Sequence, residues 1–231
     1  LMLRHLGQED APVRFRLKMD PLFWSWGLKF LRNCTTKRVQ KGRKTLHRLS
    51  AYSLDCMKDV RADTGIEYHH QDRGILSVYR SDAAWQHACK DVENYAGDGP
   101  GFDILDRDAV LALEPSLASA SIDLAGGLLS KGDESGDARL FTEALAADCA
   151  KMGVVFHYDT HVGGFDINSG KIRALQVRQG TDDATALEAD SFVMALGSYS
   201  TLMARELGLK LPVYPVKGYS TTVTIDNPQA A

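Results

Sequence analysis

The chain is poor in the features that mark several protein classes. Only four cysteines occur in 231 residues, Cys34, Cys56, Cys89 and Cys149, and no two form a C-x-x-C pair. That spacing argues against a zinc site or a redox dithiol and predicts buried free thiols in a reducing compartment. No stretch approaches the roughly 20 apolar residues that span a bilayer. The formal net charge of −3 does not suggest a nucleic-acid partner. Neither G-x-G-x-x-G nor a Walker A pattern is present, since Gly97, Gly99 and Gly101 stand too close together with Pro100 between them. A serine elbow G-x-S-x-G is missing too: Ser200 stands where a glycine would follow Gly197-Ser198, which speaks against acyl transfer.

Metal-ligand patterns are equally thin. His157 and His161 would lie roughly 13 Å apart on a strand, and His69 and His70 would point to opposite strand faces. Asp133-Glu134-Ser135-Gly136-Asp137 starts like a calcium loop, but Ala138 and Ala144 occupy the glycine and closing-glutamate positions. No metal site is expected. At its ends the chain opens at Leu1-Met2 with no charged or apolar leader pattern and closes at Asp226–Ala231, one loop beyond an expected strand. It reads as a fragment without a signal peptide.

What is present fits a globular α/β protein, with 44% hydrophobic and 25% charged residues. Phe23, Trp26, Phe30 and Cys34 recur at helical spacing after Pro21. A second helix carries Leu46, Leu49, Tyr52, Cys56 and Val60 and ends near Gly65. No acidic residue occurs between Asp20 and Asp55, while Lys29, Arg32, Lys37, Arg38, Lys41, Arg43, Lys44 and Arg48 accumulate. This is either a solvated helix face or a patch for anionic lipid or an acidic partner, with Trp24 and Trp26 as interfacial anchors.

Strands are expected at Gly74–Tyr79 and Phe102–Leu105, with a helix over Ser81–Asn94 and another capped by Asp106 or Asp108 and stopped by Pro115. Gly97–Gly101 reads as a loop. From Asp133 the pattern predicts a helix capped by Asp137, with Phe141, Leu145, Cys149 and Met152 on one face and Gly153 closing it. A strand at Val154–Tyr158, a hairpin of Gly164–Ile167 with Lys171–Arg178, and a buried strand at Ser191–Ala195 should follow. A helix through Leu207 and β structure over Pro212–Ile225 complete the reading. The turn Ala195-Leu196-Gly197-Ser198, between an apolar strand and a helix, is either a tight turn alone or a place where backbone approaches a nucleotide closely.

Five blocks occur in one order: Trp24-Ser25-Trp26-Gly27-Leu28-Lys29-Phe30-Leu31-Arg32-Asn33-Cys34, Thr64-Gly65-Ile66, Asp133–Asp137, Ala195-Leu196-Gly197-Ser198-Tyr199-Ser200 and Pro215-Val216-Lys217-Gly218-Tyr219-Ser220. Together they resemble the bacterial D-amino acid dehydrogenases of the FAD-dependent D-amino acid oxidase and glycine oxidase superfamily, over essentially the whole chain. The resemblance implies a partial Rossmann-like FAD domain interleaved with a substrate domain of mixed sheet and helices. Residues 1–132 would surround the substrate domain, 133–209 would return to the FAD domain, and 210–231 would begin further substrate-domain strands. It also implies that Val162 passes the adenine end of the flavin and that Ala195, Leu196, Gly197 and Ser198 approach its ribose and diphosphate. Lys217, Gly218 and Tyr219 would stand near the flavin ring or the substrate.

The implied activity is FAD-dependent oxidation of a D-amino acid, by hydride transfer from Cα, to a 2-oxo acid and ammonia. Electrons would pass to a quinone or respiratory-chain acceptor, which gives the basic block a peripheral role on the cytoplasmic face of the plasma membrane. The chain departs from the family in lacking the Gly-rich unit and the carboxyl-terminal part that completes the flavin and substrate sites. No carboxylate-binding arginine and no catalytic residue is therefore assigned. A glycine or sarcosine oxidase, and a non-catalytic α/β binding domain, are the competing readings.

Overall fold

The computed structural model describes residues 19–94, 101–119 and 122–220. They divide into two compact units, Leu1–Arg38 with His157–Tyr219 and Val39–Phe156 with Ser220–Ala231. Helices and strands mix in both, as the expected α/β class requires.

In the unit built on Val39–Phe156, a long helix α2 (Thr36–Thr64), whose amino-terminal turn lies in the other unit, ends where Gly65 takes φ +66. Ile66 and Tyr68 then run into the core. Three strands follow, β1 (Ile75–Tyr79), β2 (Phe102–Asp106) and β3 (Gly126–Ser130), with helices α3 (Asp82–Asn94) and α4 (Arg107–Leu113) between them. The sheet order is β1-β3-β2, antiparallel throughout, so β3 is central. Sequence periodicity does not announce β3, because it opens with two glycines. Their reason is steric: successive residues face opposite sides of a sheet. A Cβ on Gly126 would collide with the Trp85 ring from α3, and one on Gly127 would lie 2.8 Å from Val110 Cγ2 of α4. One helix therefore covers each face, and Val110 is fully buried between them.

Caps end these elements as expected. Asp106 Oδ1 accepts from Ala109 N at 2.8 Å to start α4. Asp137 Oδ1 accepts from Arg139 N and Leu140 N at 2.8 and 3.0 Å to start α5 (Ala138–Lys151), which Gly153 closes at φ +94.

The other unit contains α1 (Pro21–Asn33), a meander of β4 (Thr160–Asn168), β5 (Lys171–Gln179) and β6 (Thr185–Glu188), and α6 (Ser200–Glu206). Register shifts at Val162/Gly164 and Asp166/Ile167 explain why the hairpin lacks clean inside–outside alternation in sequence. Phe23 and Trp26 of α1 pack on Tyr214, with ring centroids 5.5 and 5.8 Å away, and Trp26 stacks on Phe30.

Four expectations are corrected. Val154–Tyr158 forms no strand, and Val155 is 74% exposed. Ser191–Ala195 forms no strand and joins no ladder among the described residues, and Val193 is 91% exposed instead of buried. Strand propensity is local, whereas a strand needs a partner edge, and neither stretch pairs in a ladder among the described residues. The cysteines are free but not buried: Cys34 is exposed and the other three are partly so. Residues 212–220 form no strand either. The expected β structure at 221–225 and the loop glycines at 97–100 lie outside the described residues.

Candidate functional site

The segments singled out in sequence meet on one short helix. The stretch up to Ala195 turns at Leu196, and Gly197 adopts φ +55, a left-handed conformation that a side chain with Cβ resists. A 3-10 turn, Gly197–Tyr199, leads into α6. That helix is anchored by Thr201 and Ala204, both buried. Thr201 Oγ1 donates to Val213 O at 3.0 Å, which fixes the segment leading to Lys217, Gly218 and Tyr219. At its far end α6 packs on β4, where a Cβ on Gly164, two residues from Val162, would lie 3.4 Å from Glu206 Oε2. So α6 is the common scaffold of the Gly197 turn, the 217–219 segment and the Val162 region.

Tyr214 secures the arrangement from the other side. Its hydroxyl donates to Asp20 Oδ2 at 3.0 Å, while Asp20 Oδ1 caps α1 by accepting from Leu22 N. Desolvation pushes the Tyr214 hydroxyl pKa up, and the Asp20 carboxylate adds to the shift. Beyond it the chain forms no helix or strand and is exposed: Lys217 Nζ sits 5.1 Å above the Tyr219 ring, and Tyr219 is 87% exposed.

A polar cluster that sequence reading missed lies in the Val39–Phe156 unit. Glu134 Oε2 accepts from Arg61 Nη1 at 2.8 Å and stands 2.9 Å from His70 Nε2. Arg61 Nη1 also donates to the Tyr68 hydroxyl at 3.1 Å. The Arg61 guanidinium holds the Glu134 carboxyl below its ordinary range against the cost of desolvation, with His70 helping, and Arg61 is pushed up in turn. Tyr68 packs on Phe141 of α5 and fills the space where Gly136 would carry a Cβ. Gln71 and Ser135 exchange backbone hydrogen bonds of 2.9 Å beside it. The cluster braces the passage from β3 into α5. Its only sequence signal is the acidic run Asp133–Asp137, whose glutamate pairs with a basic residue 73 positions earlier.

At the Gly197 turn the backbone is open, since nothing among the described residues lies within 4 Å of a Cβ built there. Crowding inside the chain is therefore not what demands glycine; the positive φ and the open approach are. The helix that follows has only seven residues, so its dipole adds little. No Gly-rich phosphate loop accompanies it in the sequence. An open backbone turn without such a loop is compatible with one flank of a dinucleotide and not with its diphosphate cradle.

Comparison with known proteins identifies the family. The family described as FAD dependent oxidoreductase matches residues 22–231. The D-amino acid dehydrogenase of Agrobacterium fabrum is 42% identical over 223 residues, covering 96% of this chain and 52% of its own length. That of Paramagnetospirillum magneticum is 41% identical over 227 residues, covering 98% and 53%. Among solved structures, glycine oxidase from Geobacillus kaustophilus has a TM-score of 0.57 at 22% identity over 86% of this chain and 46% of that one. L-proline dehydrogenase from P. horikoshii has a TM-score of 0.57 at 17% identity over 71% and 41%. At such identities the structural likeness speaks for the fold alone. The chain spans about half the length of the curated relatives it matches.

Proposed function

We propose that this chain, which belongs to the FAD dependent oxidoreductase family, is part of an enzyme that oxidises D-amino acids to 2-oxo acids and ammonia. The observation that carries the substrate class is the 42% identity, over 96% of the chain, to a protein named D-amino acid dehydrogenase. When bound, FAD supplies the two-electron acceptor that amino-acid side chains lack.

The chain's own residues bind and orient. The backbone from Ala195 to Ser198 lines the ribose–diphosphate side, Gly197 keeping the approach free of a side chain. Val162, on the bulged part of β4, borders the adenine side, and α6 holds both in one frame. Lys217, Gly218 and Tyr219 reach toward the flavin ring or the substrate, and Tyr214 and Thr201 hold the segment that presents them. On this reading residues 133–209 belong to the flavin domain, and 1–132 and 210–231 to the substrate side. The carboxylate-binding and catalytic groups lie outside these residues.

The electron acceptor in this proposal is a quinone or other respiratory-chain carrier, reached from the cytoplasmic face of the membrane. Among the described residues no helix is long and apolar enough to cross a bilayer. Lys37, Lys41, Lys44 and Arg48 are spaced along one exposed face of α2, and Trp24 on α1 is about half exposed. Each basic residue near an anionic surface contributes about 1 kcal/mol, screened by salt. Salt-sensitive vesicle co-sedimentation that charge reversal at Lys41, Arg43 and Lys44 abolishes is expected; indifference to both would remove the membrane contact.

The substrate class is tested by replacing the matched region of the Agrobacterium fabrum protein with this chain. Dye reduction should be faster on D-alanine than on sarcosine. The reverse order would favour an oxidase of the glycine or sarcosine type. A flavin-loaded chimera inert toward every amine would point to a non-catalytic domain.

A further inference from the structure

We infer that Asp20 is a positioning residue for the reaction, acting through the Tyr214 hydroxyl on the segment that carries Lys217, Gly218 and Tyr219. This rests on the reading that those three residues reach the flavin ring or the substrate, and it adds a group 194 positions earlier in the chain. The Asp20 carboxylate divides between two tasks. Oδ1 caps α1 by accepting from Leu22 N at 2.9 Å, and Oδ2 accepts from the Tyr214 hydroxyl at 3.0 Å. A cap needs only one oxygen, which serine would also supply. The second oxygen is left for the tyrosine, whose ring meets Phe23 edge-on and lies tilted against Trp26. One residue earlier, Val213 O accepts from Thr201 Oγ1 of α6. Adjacent residues are thus pinned to two helices, one through its main chain and one through its side chain. Pro212 and Pro215 stiffen the pinned pair, since each fixes its own φ and Pro215 keeps Tyr214 out of helical backbone. Lys217 follows within about 11 Å of chain. Residues 215–220 form no helix or strand that would hold them, so their placement is set by the pair that precedes them. Loss of the Asp20 bond leaves the Thr201 pin in place and frees the side that points on toward Lys217.

The test uses Tyr214→Phe, which keeps the ring and removes the hydroxyl, and Asp20→Ser, which keeps a capping oxygen for α1 and gives up the second acceptor. In the 231-residue chain, trypsin cleavage after Lys217 should be about tenfold faster in either variant, and combining the two should add little. In the chimera in which this chain replaces the matched region of the Agrobacterium fabrum protein, each variant should raise KM for D-alanine about tenfold at unchanged flavin content. A merely structural loss would lower flavin content and kcat together and leave KM where it was. Unchanged cleavage, additive effects in the double variant, loss of flavin, or an unmoved KM in flavin-loaded variants would each overturn the proposal. A chimera inert toward D-alanine before any substitution would instead sink the activity on which the proposal rests. The trypsin readout needs neither flavin nor substrate, so the two failures are told apart.

Discussion

Leu128 and Val193 stand in stretches of similar strand-forming character and meet opposite fates. Leu128 lies on β3, paired on both edges and covered on both faces within about 60 residues of chain, and is 6% exposed. Val193 lies on a segment that joins no ladder among the described residues and is almost wholly exposed. The difference is one of partners, not propensity: β1 and β2 are supplied locally, and Ser191–Ala195 pairs with no strand among the described residues. One region is a small covered sheet. The other is a stretch outside any sheet.

That contrast can be broken at its strong end. Gly126→Val should have the largest effect, about 3 kcal/mol in urea unfolding, because the new side chain meets the Trp85 ring and lies against Leu105 O. Val110→Ala should cost about 2 kcal/mol by opening a cavity between α4 and the sheet. If either were silent, the β1-β3-β2 sheet would not be the core described.

The brace around Glu134 should give an intermediate effect with a pH signature. Its folded pKa is lowered by Arg61 first, and that of Asp137 by the Leu140 N–H first. Groups depressed on folding contribute stability that is present above their unfolded pKa and lost as pH falls through the folded one. Stability should therefore decline on acidification below about pH 4.5. Glu134→Gln should lower the melting midpoint at pH 7 by roughly 2–6 °C and flatten that decline. An unchanged midpoint and acid profile would show that the cluster is not a brace.

Gly197→Val should cost the short chain about 1 kcal/mol, through its φ of +55 alone. In the family-length chimera it should also remove the bound flavin, and retention of full yellow colour would end the assignment of this turn. The smallest effect belongs to the open region. Val193→Ser should change the stability of the short chain by less than about 0.5 kcal/mol, since it removes no contact there.

Local chemistry was legible in the sequence and distant partnership was not. Asp106 and Asp137 start their helices through their side chains and Gly65 and Gly153 close theirs at positive φ, each decided within four residues. Strand β3 escaped notice because its glycines look like loop residues until Trp85 and Val110, far off in sequence, claim the space beside them. Val154–Tyr158 and Ser191–Ala195 look like strands for good local reasons, and only the absence of a ladder shows otherwise. Arg61 and His70 meet Glu134 across 73 and 64 residues. At the candidate site the Gly197 turn was read from its neighbours, but the role of α6 in tying it to Val213 and to Gly164 needed the fold.

The central claim is that this chain carries one flank of a flavin site and needs the rest of a family-length protein to complete it. Flavin absorbance after FAD titration and gel filtration, run on the 231-residue chain and on the chimera side by side, tests this most directly. The account predicts a colourless short chain that reduces no dye with D-alanine, and a chimera that carries stoichiometric flavin. A short chain that retained FAD and reduced the dye, or a folded chimera that stayed colourless, would contradict it.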